Sequence, residues 1–307
     1  MIRCREKPVN CEQFSQWLHR YSQPLAVSKD LKKKPFIMGV LNVTPNSFSD
    51  GGLYLKPNDA YLRAEKMIAE GADIIDIGGE STKPGAIPIS ATEEIDRVIP
   101  VIERIRANSD ICISIDTSKA SVMKAAVTAG ASFINDVSAL RGEDALFTAQ
   151  SLNVPVCLMH MKGTPPSMQA HPYYADDVVD EINDFFKERI EASTTAGISC
   201  TSIILDPGFG FGKSVKHNLH VIKNLQQFLK HDRPLMLGVS RKSTIGEVLQ
   251  KEVTSRLSGG IAIAVYAMLQ GVAIIRTHDV DETNQALQMI DAIVSSTNLQ
   301  CFESDKG

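Results

Sequence analysis

No apolar run in this 307-residue chain is long enough to cross a bilayer. The longest, Ile261 to Leu269, falls well short of the ~20 residues a spanning helix needs. The opening stretch, MIRCREKPVN, has no apolar h-region, so no secretory signal is expected. Charge of neither sign dominates: 32 basic and 36 acidic residues leave a net charge of −4. That balance argues against a nucleic-acid partner or a membrane surface. The short basic run Lys32-Lys33-Lys34 reads as a solvated stretch before the first strand. Cys4, Cys11, Cys112, Cys157, Cys200 and Cys301 include no CxxC pair. Cys112 and Cys157 fall in predicted strands and read as buried thiols, which points to a reducing cytoplasm.

What is present suits a soluble protein with a large core: 43% hydrophobic and 22% charged residues. From Phe36 onward, strand-like and helix-like segments alternate. The predicted strands are FIMGVL (36–41), DIIDI (73–77), ICISI (111–115), SFIN (132–135), VPVCLM (154–159), SIIL (202–205), PLMLG (234–238) and VAIIR (272–276). Near-continuous apolar strands imply burial on both faces and hence a parallel sheet. Ser90 to Glu93 reads as a capping box. Gly71, Gly130, Gly197 and Gly271 sit where helices should stop. Eight such units predict an α/β fold, a (β/α)8 TIM barrel over residues 36–297. An open doubly wound sheet would gather its polar motifs at one switch point. Here polar clusters follow almost every strand. Residues 1–35 stand apart as an N-terminal extension, either a short helix at Phe14, Trp17, Leu18 and Tyr21 or a disordered lead-in; residues 298–307 form a tail.

The polar clusters carry the chemistry. GVLNVTPNSFSDGG (39–52) ends a strand in Asn42 and opens a turn-rich loop with Phe48 and Asp50. GGESTKPG (78–85) follows the second strand and Asp116 the third. Asn135 and Asp136 follow the fourth, His160 the fifth and DPGFGFGK (206–213) the sixth. SRKS (240–243) and RTHD (276–279) close the series. In a barrel all of them meet at the C-terminal face. Each has a plainer alternative. Asp116 or Thr117 could cap the next helix, Asn135 and Asp136 could be turn residues, and His160 could be a satisfied core histidine. DPGFGFGK is neither a Walker A loop nor a GxGxxG loop. It reads as a turn against a flat ligand, with Phe209 and Phe211 as apolar walls. Lys242, Arg276 and His278 lie on strands seven and eight, where barrels commonly bind phosphate. Cations there, facing Asp116, Asn135 and Asp206, suit a ligand with an anionic tail and an amidine-like head. No convincing Ser-His-Asp arrangement is visible.

LNVTPNSFSDGG, GGESTKPG, SIDTS, INDV, LDPGFGFGK, SRKS and RTHD together resemble the dihydropteroate synthases over about residues 36–295. The resemblance implies a pterin-binding barrel that condenses 6-hydroxymethyl-7,8-dihydropterin diphosphate with p-aminobenzoate, assisted by Mg²⁺, in an SN1-like reaction. It implies pterin contacts from Asp116, Asn135, Asp206 and Lys242. Diphosphate contacts fall to Asn42, Thr82, Arg276 and His278, with Asn42 near the metal. Phe48, Pro84, Phe211 and Ser240 would line the aminobenzoate pocket. Asp116, Lys242, Asp50, Thr82 and Lys83 would take part in catalysis, the loops of Phe48–Asp50 and Thr82 closing over the substrates. A cytoplasmic homodimer is implied on the same ground. Lys83 and Asn46 depart from the family pattern, which usually has arginine and aspartate there. Lysine keeps the charge but loses the two-pronged grip of a guanidinium. Two other readings share parts of the pattern. A pterin-dependent methyltransferase barrel would not need the SFSDGG loop, SRKS or a diphosphate site. A non-catalytic pterin-binding protein would need a broken site.

Overall fold

A computed structural model describes residues 9–21, 34–44, 57–82, 85–164, 168–169 and 172–296. Eight parallel strands run β1 (Phe36–Asn42), β2 (Ile74–Gly78), β3 (Cys112–Asp116), β4 (Phe133–Asp136), β5 (Val156–Met159), β6 (Ile203–Asp206), β7 (Met236–Gly238) and β8 (Ile274–Thr277). Each pairs with its neighbour in the order β6-β5-β4-β3-β2-β1-β8-β7. A parallel bridge between Leu205 and Leu235 joins the two ends of that series, so the sheet closes on itself. Helices lie between the strands, among them α2 (Pro57–Glu70), α3 (Ala91–Arg106), α4 (Ala120–Ala129), α5 (Ala145–Leu152), α6 (Val178–Thr195), α7 (Val215–Lys223), α8 (Ser243–Leu249), α9 (Leu257–Leu269) and α10 (Val280–Ser295), after the N-terminal α1 (Cys11–Tyr21). This is a (β/α)8 barrel, and the open sheet is excluded.

Strand parity sorts the side chains. Ile37, Leu41, Ile75, Ile77, Ile113 and Ile115 pack outward against the helices. The alternate residues point into the barrel. Its floor is Met38, Ile74, Cys112, Phe133, Cys157, Ile204, Met236 and Ile274, one from each strand. α1 closes that floor: its buried Phe14 and Leu18 join the same cluster. Phe14 meets the ring of Phe133 with centroids 5.6 Å apart, and Trp17 packs edge-on to Phe36 at 4.7 Å. The helical spacing of Phe14, Leu18 and Tyr21 thus serves a bottom plug. Cys112 and Cys157 are buried thiols, and burial pushes Cys112 up to about 12.

All eight predicted strands are present. Those ending at 41, 77, 115, 135, 205 and 276 run one residue further, onto Asn42, Gly78, Asp116, Asp136, Asp206 and Thr277. Asn42, Asp116 and Asp206 therefore sit on ladder-paired backbone rather than in loops, which fixes where their side chains point. Asn42 pairs in register with Gly78, Gly78 with Asp116, and Asp116 with Asn135. The helix stops also hold: Gly130 is left-handed (φ 118°) and caps α4 through N–H bonds to Ala126 and Val127. The capping box is half made. Ser90 Oγ accepts from Glu93 N at 3.1 Å, but the Glu93 carboxylate turns to Arg97 instead (2.6 Å).

Candidate active site

A buried polar basin occupies the barrel above its apolar floor, and Arg276 of β8 stands at its centre. Gly238 on β7 makes room for it: a Cβ there would lie 3.5 Å from the Arg276 Cβ and 3.6 Å from Cδ. Arg276 Nε donates to Asp76 Oδ2 and Nη2 to Asp116 Oδ2, both at 2.6 Å. Asn135 Nδ2 donates to the same Asp76 oxygen at 3.2 Å. Asp76 is wholly buried and Asp116 is 7% exposed. Asp76 Oδ1, Asp116 Oδ1 and Ser114 Oγ are buried with no hydrogen-bond partner among the described residues. Buried acceptors are rarely left unpaired, because each forfeits its hydration. Two orphan carboxylate oxygens side by side are suited to a ligand edge rich in N–H donors.

The electrostatics agree. Burial pushes Asp116 up to about 7, with Arg276 opposing the rise and Asp76, Glu94 and Asp136 adding to it. Burial also raises Asp206, against the pull of Lys242. Burial lowers the half-buried Lys242 to about 8, resisted by Asp206. Arg276 loses hydration too, but Asp76 and Asp116 outweigh that and hold it firmly charged.

The segment after β6 builds one wall. Asp206 Oδ1 accepts from Gly208 N at 2.7 Å. Gly208 is left-handed (φ 66°), and a Cβ there would come within 1.8 Å of the His160 carbonyl. Only glycine permits that approach. Lys213 is 2% exposed and nests inside its own turn, donating to Gly208 O (2.9 Å) and Phe211 O (3.2 Å). It also lies 2.9 Å from His160 Nδ1. Burial and Lys213 push His160 down to about 2, so the imidazole is neutral and accepts from the ammonium. His160 is thus the satisfied core histidine, supporting the turn. Phe209 was expected to wall the ligand. It is instead fully buried in the main core, and its carbonyl accepts from Lys242 Nζ. Gly210, left-handed at φ 82°, turns the chain between the two rings. Phe211 does face the mouth, clustered with Val137, Met159, Met161 and Met168, with Lys242 Nζ 4.4 Å from its ring centroid.

The ends of β7 and β8 meet beside the basin. Ser240 Oγ donates to Asp279 Oδ2 at 3.2 Å, accepts from His278 N at 3.2 Å and lies 3.1 Å from His278 Nδ1. Arg241, left-handed at φ 62°, is pinned by Nη2 to Asp279 Oδ1 at 2.5 Å. Arg63 of α2 donates to His278 O at 3.0 Å. A serine, a histidine and an aspartate are together here, but the aspartate holds the serine rather than the histidine. That order does not generate a nucleophile.

Thr82, Asp116, Thr117 and Val137 line a cavity of about 120 Å³ next to the basin, shared with Glu80 and Glu94. Lys119 of the third loop bridges those two glutamates. Asp116, Asn135, Asp206, Lys242, Arg276 and Thr82 are therefore brought together, with His278 and Ser240 adjacent and Asn42 in register with Gly78. Asn46, Phe48, Asp50, Lys83 and Pro84 lie outside the described residues. Sequence reading missed Asp76, Ser114 and Asp279. Asp76 had a signal: in IIDIG it shares parity with Ile74, so a charge pointed into the barrel.

Fold and site define a barrel enzyme that holds a donor-edged heterocycle next to an anion. The family described as pterin binding enzyme matches residues 38–278. Dihydropteroate synthase of Escherichia coli K12 is 47% identical over 269 residues, covering 88% of this chain and 95% of that protein. A Yersinia pestis dihydropteroate synthase in complex with a sulfonamide drug superposes with a TM-score of 0.82 at 46% identity, covering 85% of this chain and 94% of the other. A Xanthomonas albilineans dihydropteroate synthase with 4-aminobenzoic acid gives 0.81 at 44% identity, with 86% and 94% covered. The chain belongs to the dihydropteroate synthases, within the pterin binding enzymes.

Proposed function

We propose that this site condenses 6-hydroxymethyl-7,8-dihydropterin diphosphate with p-aminobenzoate to give 7,8-dihydropteroate and diphosphate, a step of folate biosynthesis. The observation that carries the reading is the pair of orphan acceptors, Asp76 Oδ1 and Asp116 Oδ1, beside Asp206 and under Arg276. The pterin amine and ring N–H groups supply the donors those carboxylates lack, at roughly 1.5–3 kcal/mol per charge-assisted bond. Asn135 and Lys242 complete the pterin set. The diphosphate lies towards Asn42, Arg276 and His278. Its C–O bond breaks first and the electron pair leaves with the diphosphate. The methylene cation is delocalised over the pterin and stabilised by the carboxylate of Asp116. The arylamine lone pair then forms the C–N bond and the nitrogen releases a proton. Ser240 and Phe211 sit where the aminobenzoate would approach.

Magnesium fits as a cation carried in with the diphosphate. Among the described residues, no group of three or more His, Cys, Asp or Glu could hold a metal alone. Gly78 leaves the Asn42 amide oxygen uncovered: a Cβ there would lie 3.6 Å from Asn42 Oδ1 and 3.8 Å from Asp116 Oδ2. One amide oxygen plus substrate phosphate oxygens is a donor set that suits Mg²⁺. Bound there, Mg²⁺ would draw charge off the departing diphosphate.

The reading is tested by dihydropteroate formation from the two substrates, with and without Mg²⁺. Product should form and depend on the cation. Binding of a pterin analogue without turnover would favour the non-catalytic alternative instead. A homodimer is part of the proposal. Val248, Leu249, Val253, Leu257, Leu269 and Ile293 stand exposed on α8, α9, α10 and the turn between α8 and α9. Exposed apolar residues on neighbouring helices suit a second copy. Sedimentation equilibrium should give twice the chain mass, and Leu249→Glu should halve it.

A further inference from the structure

Lys119 stands where three pieces of the site meet. It follows Asp116 closely in the chain, directly before α4, and its backbone N–H donates to Thr117 Oγ1 at 3.2 Å. Its position is therefore set by the end of β3, as that of Asp116 is. Its ammonium donates to Glu80 of the second loop and to Glu94 of α3. Burial works against that charge, but the two carboxylates outweigh burial and raise the ammonium above its ordinary value. Glu94 is 1% exposed, and its other oxygen, Oε1, is buried with no hydrogen-bond partner among the described residues. The root of the second loop is held from its other side as well. Arg97 Nη1 of α3 donates to Gly79 O at 2.8 Å. Gly79 lies so close to that helix that a Cβ would come within 2.9 Å of Glu94 Cγ. Beyond Glu80, Thr82 lines the same cavity as Glu80, Glu94 and Asp116.

We propose that Lys119 is a positioning residue for the second loop: by tying Glu80 to Glu94 beside Asp116, it sets Thr82 where the leaving diphosphate departs. This rests on the reading of Thr82 as a diphosphate contact. Three carboxylates surround one cavity. Asp116 has Arg276 as its counter-charge, whereas Glu80 and Glu94 share Lys119. Without the ammonium the two glutamates repel each other and Asp116. Glu94 is fixed in a helix and Asp116 in a strand, so Glu80 is the one free to move, and Thr82 would move with it. A pair that takes a carboxylate to 1% exposure returns little net stability, because lost hydration offsets the attraction. What it fixes is geometry. The pterin contacts, Asp116, Asn135, Asp206 and Lys242, stand on strand ends and turns that the tie to Glu80 does not touch. The effect therefore falls on the diphosphate end of the substrate and not on the heterocycle.

The cleanest variant is Glu80→Ala, which cuts the loop from the tie and leaves Lys119 paired with buried Glu94. It should lower kcat/KM for the pterin diphosphate by about 10- to 100-fold, the scale of a small misplacement of a binding group. Calorimetry should show weaker binding of inorganic diphosphate, with the affinity for a pterin analogue that lacks diphosphate within about threefold of wild type. Lys119→Met should lose at least as much, and Lys119→Arg, which keeps a cation able to reach both carboxylates, should recover most of it. Glu80→Ala serves alone if Lys119→Met fails to fold around an unpaired Glu94. A double-mutant cycle with Thr82→Ala supplies the second arm. If the tie acts through Thr82, adding Glu80→Ala to Thr82→Ala should cost little more than Thr82→Ala alone. Wild-type kinetics in Glu80→Ala, full additivity in the cycle, or an equal loss of the diphosphate-free pterin overturns the proposal while Thr82 keeps its role. A Thr82→Ala protein that binds inorganic diphosphate and turns over as wild type does would instead remove Thr82 from the diphosphate site, and the proposal with it.

Discussion

Arg276→Met is expected to abolish dihydropteroate formation and to cost the fold about 3–5 kcal/mol. The single guanidinium neutralises two carboxylates at 2.6 Å each, Asp76, which is wholly buried, and Asp116, which is 7% exposed. Methionine fills the volume and leaves both carboxylates without a counter-charge, Asp76 keeping only the bond from Asn135 Nδ2. Urea unfolding measures the loss. Its pH dependence carries a sign. Asp116 already has its folded value raised from 3.8 to about 7, so the fold binds that proton more tightly than the unfolded chain. That contribution is complete below 3.8 and lost as pH rises through about 7. Without Arg276 the carboxyl rises further, so the penalty of Arg276→Met should be large at pH 8 and shrink on acidification. Adding Asp76→Asn and Asp116→Asn should recover stability but not activity. An Arg276→Met protein as stable as wild type at pH 8 would mean that the basin admits enough water to solvate the carboxylates.

The sequence made the barrel legible because each strand is a short apolar run followed by a polar residue and a turn, repeated eight times. It did not show that Asn42, Asp116 and Asp206 still belong to the ladder, since strand pairing depends on neighbours far away in the chain. Asp76 was hidden for a related reason. Inside IIDIG it reads as an interruption of a buried strand, and its partner Arg276 lies 200 residues on. The plug was half legible. The spacing of Phe14, Leu18 and Tyr21 marks a helix with one apolar face. Its receptor is a floor assembled from eight separate strands, which no local pattern reports. Phe209 and Phe211 looked equivalent because strand alternation would put both on one face, and it fails where left-handed Gly210 turns the chain between them. Asp279 stood in view in RTHD, but the hydrogen bond it accepts from Ser240 appears only when β7 and β8 are side by side.

Asp206→Ala should lower the affinity for a pterin analogue by roughly 10²- to 10⁴-fold while the barrel remains folded. Two charge-assisted bonds to the pterin are worth about 3–6 kcal/mol together, and alanine removes both. Alanine also releases Gly208 N, which Asp206 Oδ1 holds at 2.7 Å, so part of the loss could come from a displaced turn. Asp206→Asn separates the two. Its amide oxygen can still accept from Gly208 N, and Lys213 still pins the turn through Gly208 O and Phe211 O. Its NH₂, however, confronts the pterin donors with another donor. If the carboxylate acts by accepting from the pterin, asparagine should be nearly as defective as alanine. If it acts by shaping the turn, asparagine should bind as wild type does. A second readout follows from Lys242. Burial lowers that ammonium to about 8 and Asp206 resists the fall, so either substitution should move it lower still. The alkaline limb of kcat/KM for the pterin diphosphate should then shift to lower pH. Calorimetry and the pH profile test both points. Affinity within about threefold of wild type in Asp206→Ala, less than 1 kcal/mol, would remove this carboxylate from the pterin site.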